Sequence, residues 1–169
     1  GCEHDKSGSD TKMATLEGTK KVPLEQLLAE KGDKNPDVRK GVEFLLAGDY
    51  SQASRYLNSA LFQDQTNPWV HYLNGLSYQM MAEKGDVAQY DLAQSGFENA
   101  LKYDPTNVMA SLQLARVYIA KKEYTKAQEE LANVLLLDPS QKDAAYELAH
   151  VSYLKGDIKS AHAAIARAI

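Results

Sequence analysis

Three fragments of the chain line up on an aspartate: "SALFQDQTN", "NALKYDPTN" and "NVLLLDPSQ". Asp64, Asp104 and Asp138 are 40 and then 34 residues apart. Upstream of them, Ala53, Ala93, Ala127 and Ala161 are spaced 40, 34 and 34. Gly41, Gly75, Ala115 and Ala149 are spaced 34, 40 and 34. Phe44, Tyr78 and Tyr118 follow at 34 and 40. The period is therefore 34, with six extra residues inside "QMMAEKGDVAQYDL". A fixed period of this size means one small unit stacked on copies of itself, because a single unit cannot bury its own apolar face.

Each unit splits into two helical patterns around a short turn, "GDY", "KKEY" or "KGDI". Asn35-Pro36 and Asn67-Pro68 each set a good N-cap before a proline at the first helical position. Asp49 with Gln52, and Asp86 with Gln89, have the spacing of a capping box. The pattern predicts helices over 24–31, 36–47, 50–63, 67–84, 87–102, 106–121, 124–136, 140–154 and 158–169, and no strand pattern is present. The inserted residues are expected to lengthen the first helix of the second unit up to Gly85. Six residues of helix add about 9 Å, projecting from one rim.

These residues resemble the tetratricopeptide repeat family over 34–169, as repeats 34–67, 68–107, 108–141 and 142–169. The resemblance implies an all-α, right-handed solenoid of about four helix-turn-helix repeats, with an extra helix in front. It places small residues at Gly41, Gly75, Ala115 and Ala149, and again at Ala53, Ala93, Ala127 and Ala161. Large residues stand at Phe44, Tyr78, Tyr118, Leu57, Phe97, Leu131 and Ile165. Tyr50, Tyr90 and Tyr124 also fall at packing positions. Gln65 replaces the proline found at Pro105 and Pro139, and Ser152 replaces an aromatic.

The same resemblance implies a concave groove lined by the first helix of each repeat. Its candidate residues are Val42, Leu45, Trp69, Tyr72, Leu76, Met80, Met109, Leu112, Arg116, Tyr146, His150 and Tyr153. Aromatic and methionine side chains are the currency of interaction surfaces. Trp69, Tyr72, Met80, Met109 and Tyr146 are expected to form one continuous surface for a protein or peptide partner. Relatives that bind the acidic tails of chaperones use a basic, asparagine-rich clamp. Val42, Met109 and Gln113 stand at those positions here, which argues against a co-chaperone.

Catalysis needs convergent polar groups, and the sequence offers little. Four histidines are present, His4, His71, His150 and His162, without HExxH, CxxC, GxSxG or P-loop spacing. The helical histidines read as surface or groove residues. Neither an enzyme nor a cofactor is expected. A net charge of −4 argues against nucleic acid, which calls for a clustered basic surface.

Residues 1–22 read as a flexible polar leader, and 23–33 as a capping helix with Leu24, Leu27 and Leu28 on one side. This helix is expected to dock ahead of the first repeat. Cys2 is the one cysteine. "GC" before a polar tether resembles a mature bacterial lipoprotein. It implies a lipid anchor at Cys2 as the membrane contact, and an envelope location with the outer membrane favoured. A cytoplasmic adaptor is the alternative. "CEH" at a free amino terminus would chelate copper or nickel, but Gly1 or acylation removes that option. At the other end, Ile165 is expected to pack inward, with Ile169 and its neighbouring alanines facing a missing fifth hairpin. Further chain, a second copy of the protein or a partner would each cover that face.

Overall fold

The structure is a computed structural model that describes residues 34–169 and the backbone of two short strands. Strands β1 (Met13–Thr15) and β2 (Lys21–Pro23) pair antiparallel, with Met13 opposite Pro23 and Thr15 opposite Lys21. The two strands are too short to show alternation in the sequence, and the repeats that follow are all-helical, as expected. The expected helix 24–31, Cys2 and His4 lie outside the described residues.

The helices are α1 (Pro36–Ala47), α2 (Tyr50–Gln63), α3 (Pro68–Glu83), α4 (Gln89–Tyr103), α5 (Val108–Ala120), α6 (Tyr124–Leu137), α7 (Lys142–Lys155) and α8 (Ile158–Ala168). They pair as hairpins α1/α2, α3/α4, α5/α6 and α7/α8, and each hairpin packs on the next. The helices start where the caps say. Asn35 accepts from the Asp37 amide, Asn67 from Trp69 and Val70, and Asn107 from Ala110. Each side chain thereby satisfies a donor that the first helical turn leaves open.

The turn inside each hairpin needs one left-handed residue. Gly48 and Gly156 supply it at φ 78° and 83°, and Lys122 supplies it in the third repeat at φ 61°. The turn between hairpins is the same three times over. Asp64 accepts from the amide and hydroxyl of Thr66, Asp104 from those of Thr106, and Asp138 from those of Ser140. Gln65 in place of proline leaves that turn intact.

Small residues set how closely the helices approach. A Cβ added to Gly41 would meet Leu57 at 2.6 Å, and one on Gly96 would meet the Gly75 backbone at 2.8 Å. The core runs through all four hairpins, from Val42 and Leu57 through Phe97 and Leu131 to Val151.

The insertion divides in two. Helix α3 stretches to 16 residues, against 12 in α1, and ends at Glu83. The rest forms a loop through Gly85, at φ 124°. Asp86 does not cap α4 as expected. Its carbonyl accepts from the Gln89 amide, its carboxylate accepts from the Gln89 side chain, and the helix begins three residues later. Asp49 does cap α2, but the Gln52 side chain turns to Arg55 and leaves the reciprocal half of that box unmade.

Candidate functional site

The inner helices α1, α3, α5 and α7 stand side by side, each with its partner helix behind it. Helix geometry turns the chain by about 100° per residue. Gly75 of α3 faces Phe97 of α4. Leu73 and Met80 therefore lie on the opposite side of α3, turned inward. Gln113 has the same relation to Ala115 on α5, as does Glu147 to Ala149 on α7. Trp69 and Met109 flank this face near the helix starts, both half-buried.

Most of the groove residues expected from sequence have another job. Val42, Leu45, Tyr72, Leu76, Met80 and Leu112 are buried, at 2 % exposure or less. Met80 belongs to the inward side, while the others turn toward the partner helix or the next hairpin. The Tyr72 ring lies against Phe97 at 5.9 Å and against Trp69 at 5.2 Å. Arg116 shares the repeat position of Val42 and Leu76, and its Nε donates to Glu147 on the following inner helix. That position is thus a seam between repeats. In the last repeat the same positions open to solvent. Tyr146 is 47 % and Tyr153 66 % exposed, and His150 is exposed too, because no further hairpin among the described residues covers them. The five residues expected to form one continuous surface are therefore split between core, rim and open end.

Sequence reading missed Leu73 and Glu147 and did not place Gln113 in the site. A signal for all three exists. Each stands two residues before the small residue of its inner helix, about 200° round from the hairpin interface.

The inner helices carry several buried hydrogen-bonding atoms without partners among the described residues. The Gln113 amide is buried with neither its Nε2 nor its Oε1 paired. The two terminal nitrogens of Arg116, the Trp69 Nε1, the Tyr72 hydroxyl and the Gln79 Oε1 are likewise buried and unpaired. Such groups are costly unless something meets them. Around Arg116 stand two carboxylates, Glu147 and Glu83. Burial pushes the Glu83 carboxyl up to about 7, and the Arg116 charge draws it back.

His71 corrects the surface-or-groove reading of the helical histidines. It is buried, its Nε2 lies 2.8 Å from the Gln65 carbonyl, and its ring stacks on Tyr103 at 5.7 Å. It ties the turn between the first two repeats to the outer helix α4. Beside it lies an open hollow of about 400 Å³, lined by Asn58, Phe62, Lys102 and Tyr103 among others. Among the described residues no group of three or more His, Cys, Asp or Glu could hold a metal ion. No described helix is long and apolar enough to cross a membrane. At the far end Ile169 is 89 % exposed, as expected, but Ile165 is 38 % exposed while Ala161, Ala164 and Ala168 are buried, against the expectation for Ile165 and for the alanine beside Ile169. The equivalent Leu131 is fully buried.

Stacked hairpins joined by identical turns, with small residues at their crossings, define a tetratricopeptide-type solenoid. Residues 80–140 match the tetratricopeptide repeat family. The structure is similar to that of MamA 41-end from Desulfovibrio magneticus RS-1, with TM-score 0.70, 21 % identity, and coverage of 86 % of this chain and 82 % of that one. It is also similar to the second tetratricopeptide domain of human RPAP3, solved with the HSP70 peptide SGPTIEEVD. There the TM-score is 0.62, the identity 21 %, and the coverage 78 % and 98 %. The first such domain of Spaghetti (RPAP3), bound to the HSP90 peptide SRMEEVD, gives 0.64, 19 %, and 80 % and 97 %. At these identities the likeness is one of fold. No curated protein matches the sequence.

Proposed function

We propose that this protein is a non-enzymatic interaction scaffold that holds a peptide or helix of a protein partner on its inward face. One observation carries the reading: the Gln113 amide on that face and the terminal nitrogens of Arg116 at the adjoining seam are buried without a partner among the described residues, near the apolar Leu73 and Met80. A backbone amide, a carbonyl and an anionic group from a partner would satisfy them. Solved neighbours of the same fold hold peptides, which supports the reading. We further propose a bacterial envelope assembly, such as a pilus or secretion system, as the setting. Acylated Cys2 would be the anchor and the polar leader the tether. One acyl chain alone binds a membrane only marginally, so a lasting anchor needs more than one.

A photo-cross-linking residue at Met109 in the native cell tests the scaffold. One predominant protein adduct is expected. Trp69→Ala should then weaken affinity for that protein by about 2 kcal/mol if Trp69 is a hot spot. An affinity unchanged by both Trp69→Ala and Gln113→Ala overturns the reading. Mass spectrometry of the native protein tests the anchor separately, since an unmodified Cys2 excludes it.

A further inference from the structure

We propose that two copies of this chain join tail to tail, with α7 and α8 of one packed on α7 and α8 of the other about a two-fold axis. The inference goes beyond the scaffold reading and does not rest on it. The surface it uses is the end of the stack, not the inward face.

The first observation is a set of paired positions. Leu112, Leu131 and Leu135 of the third repeat are buried, whereas Tyr146, Ile165 and Ile169, each 34 residues further on, are exposed. The third repeat has α7 packed on its α6. Among the described residues nothing stands in that place on the fourth. At about 100° per residue, Tyr146, His150 and Tyr153 share one side of α7, and Ile158, Ile165 and Ile169 share one side of α8. The two helices pack together as a hairpin, so their stripes form one patch. An exposed apolar patch of this kind marks an interaction surface.

The second observation is charge. The middle of this patch carries no Asp, Glu, Lys or Arg. Glu147 turns back to Arg116 of α5, and Lys155 donates back to Gln128 of α6. On their helices Asp143 and Lys159 stand at the edges of the stripes. A two-fold interface sets a surface against itself, so a fixed charge near its centre meets its own copy. Like charges across an interface are strongly unfavourable. This patch has none to oppose.

The third is a mismatch with the other end of the stack. Asn74 of α3 meets the hairpin before it, since its amide donates to Asn58 of α2. The same position is Leu114 on α5, which is buried, and Leu148 on α7, which packs on the core. Lys121 donates to Gln94 across one seam, and Lys155 donates to Gln128 across the next. In the first repeat these two positions are Lys40 and Ala47. Lys40 lies 3.9 Å from Glu43, and both side chains are about half exposed. Helix α1 thus brings a charge where a leucine seats and an alanine where the seam lysine donates. A head-to-tail stack is disfavoured, and a tail-to-tail pair is how a second copy covers the patch.

The fourth is area. Tyr146 and Tyr153 together leave open about one whole tyrosine. With the aliphatic residues and histidines beside them, the patch is on the order of 800 Å² per copy, the size that one partner contributes to a standard interface. A closed pair covers the patch on both copies and leaves none to recruit a third. It also carries two inward faces, so a partner with two binding segments is held with a gain in avidity.

The test uses the full chain with Cys2→Ser, which removes both a disulfide and an acyl chain as routes to association. Sedimentation equilibrium should give twice the 18.7 kDa of one chain. The double variant Ile165→Glu with Ile169→Glu should be a monomer, and so should Ile165→Lys with Ile169→Lys. Mixing the two should restore the dimer, because opposite charges then face each other. Leu136→Glu, on an exposed apolar residue of α6 away from the patch, should leave the dimer intact. A chain that stays monomeric at its highest soluble concentration overturns the proposal. So does a mass that grows past the dimer, which is the mark of head-to-tail stacking. A dimer that both double variants keep, or that Leu136→Glu abolishes, uses another face and overturns it too. Should the double variants fail to fold, the amide signals of the unsubstituted patch decide. Dilution should shift those of Tyr146, Ile165 and Ile169 and leave Leu136 in place, and the opposite pattern sinks the idea.

Discussion

A Cβ on Gly75 would lie 2.8 Å from the ring of Phe97, and a Cβ on Gly96 would lie 2.8 Å from the Gly75 backbone. The two contacts differ in what can yield. A ring can tilt, but a backbone moves only if α3 and α4 part. Alanine in a helix gains about 1 kcal/mol over glycine, and overpacking costs about 1–3 kcal/mol. Gly96→Ala is therefore expected to destabilise, and Gly75→Ala less so. Adding Phe97→Leu should rescue Gly75→Ala and not Gly96→Ala. Urea unfolding of the set checks this.

Tyr72 separates core from groove. Its ring is enclosed, burial pushes its phenol strongly up, and its hydroxyl has no partner among the described residues. Removing an unpaired buried hydroxyl relieves a desolvation cost of about 1–3 kcal/mol. Tyr72→Phe should raise the unfolding midpoint. Tyr72→Ala should lower stability by about 3–5 kcal/mol through the cavity it leaves. A small loss on Tyr72→Ala would return the residue to the groove.

Glu83 makes stability depend on pH. Its carboxyl is raised from 4.5 to about 7 by burial, against the pull of Arg116. Below the lower value it is protonated in both folded and unfolded chains and contributes nothing. Between the two values the folded state holds its proton more tightly, so stability falls as pH rises. Above about 7 the loss is complete. Glu83→Gln should remove this decline and leave the variant more stable than the parent at pH 8. Denaturation curves at pH 5 and pH 8 measure it.

Lys122 carries a left-handed backbone where Gly48 and Gly156 serve in other repeats. A side chain there costs about 1–2 kcal/mol. Lys122→Gly should recover part of that, while Gly156→Ala should lose a similar amount. Thermal melts of the two variants should shift in opposite directions.

The helices were legible because their signals are local. Asn67-Pro68 starts α3 and Gly48 ends α1 through chemistry that needs only neighbouring residues. The insertion was half legible, since Glu83 ends α3 two residues before the glycine that seemed to stop it. The site was not legible in the same way. Val42, Tyr72 and Leu76 stand at positions that the family resemblance gives to a groove, and packing against the partner helix or the next hairpin turns them into core. Tyr146 occupies the position of Tyr72 in the last repeat and stays open, with no further hairpin among the described residues to cover it. Gln113 was named only as a departure from the chaperone clamp, although its place two residues before Ala115 turns it away from the hairpin interface.

The three turns at Asp64, Asp104 and Asp138 close on the same two hydrogen bonds, although one lacks proline and one uses serine for threonine. A chain jointed this way can change length by whole units. Excising or duplicating the stretch between Asp104 and Asp138 would join one such turn to another, with no new corner to invent. The reach of the inward surface, and so the size of what it grips, is a quantity that unequal crossing-over of the gene can dial in steps of one hairpin.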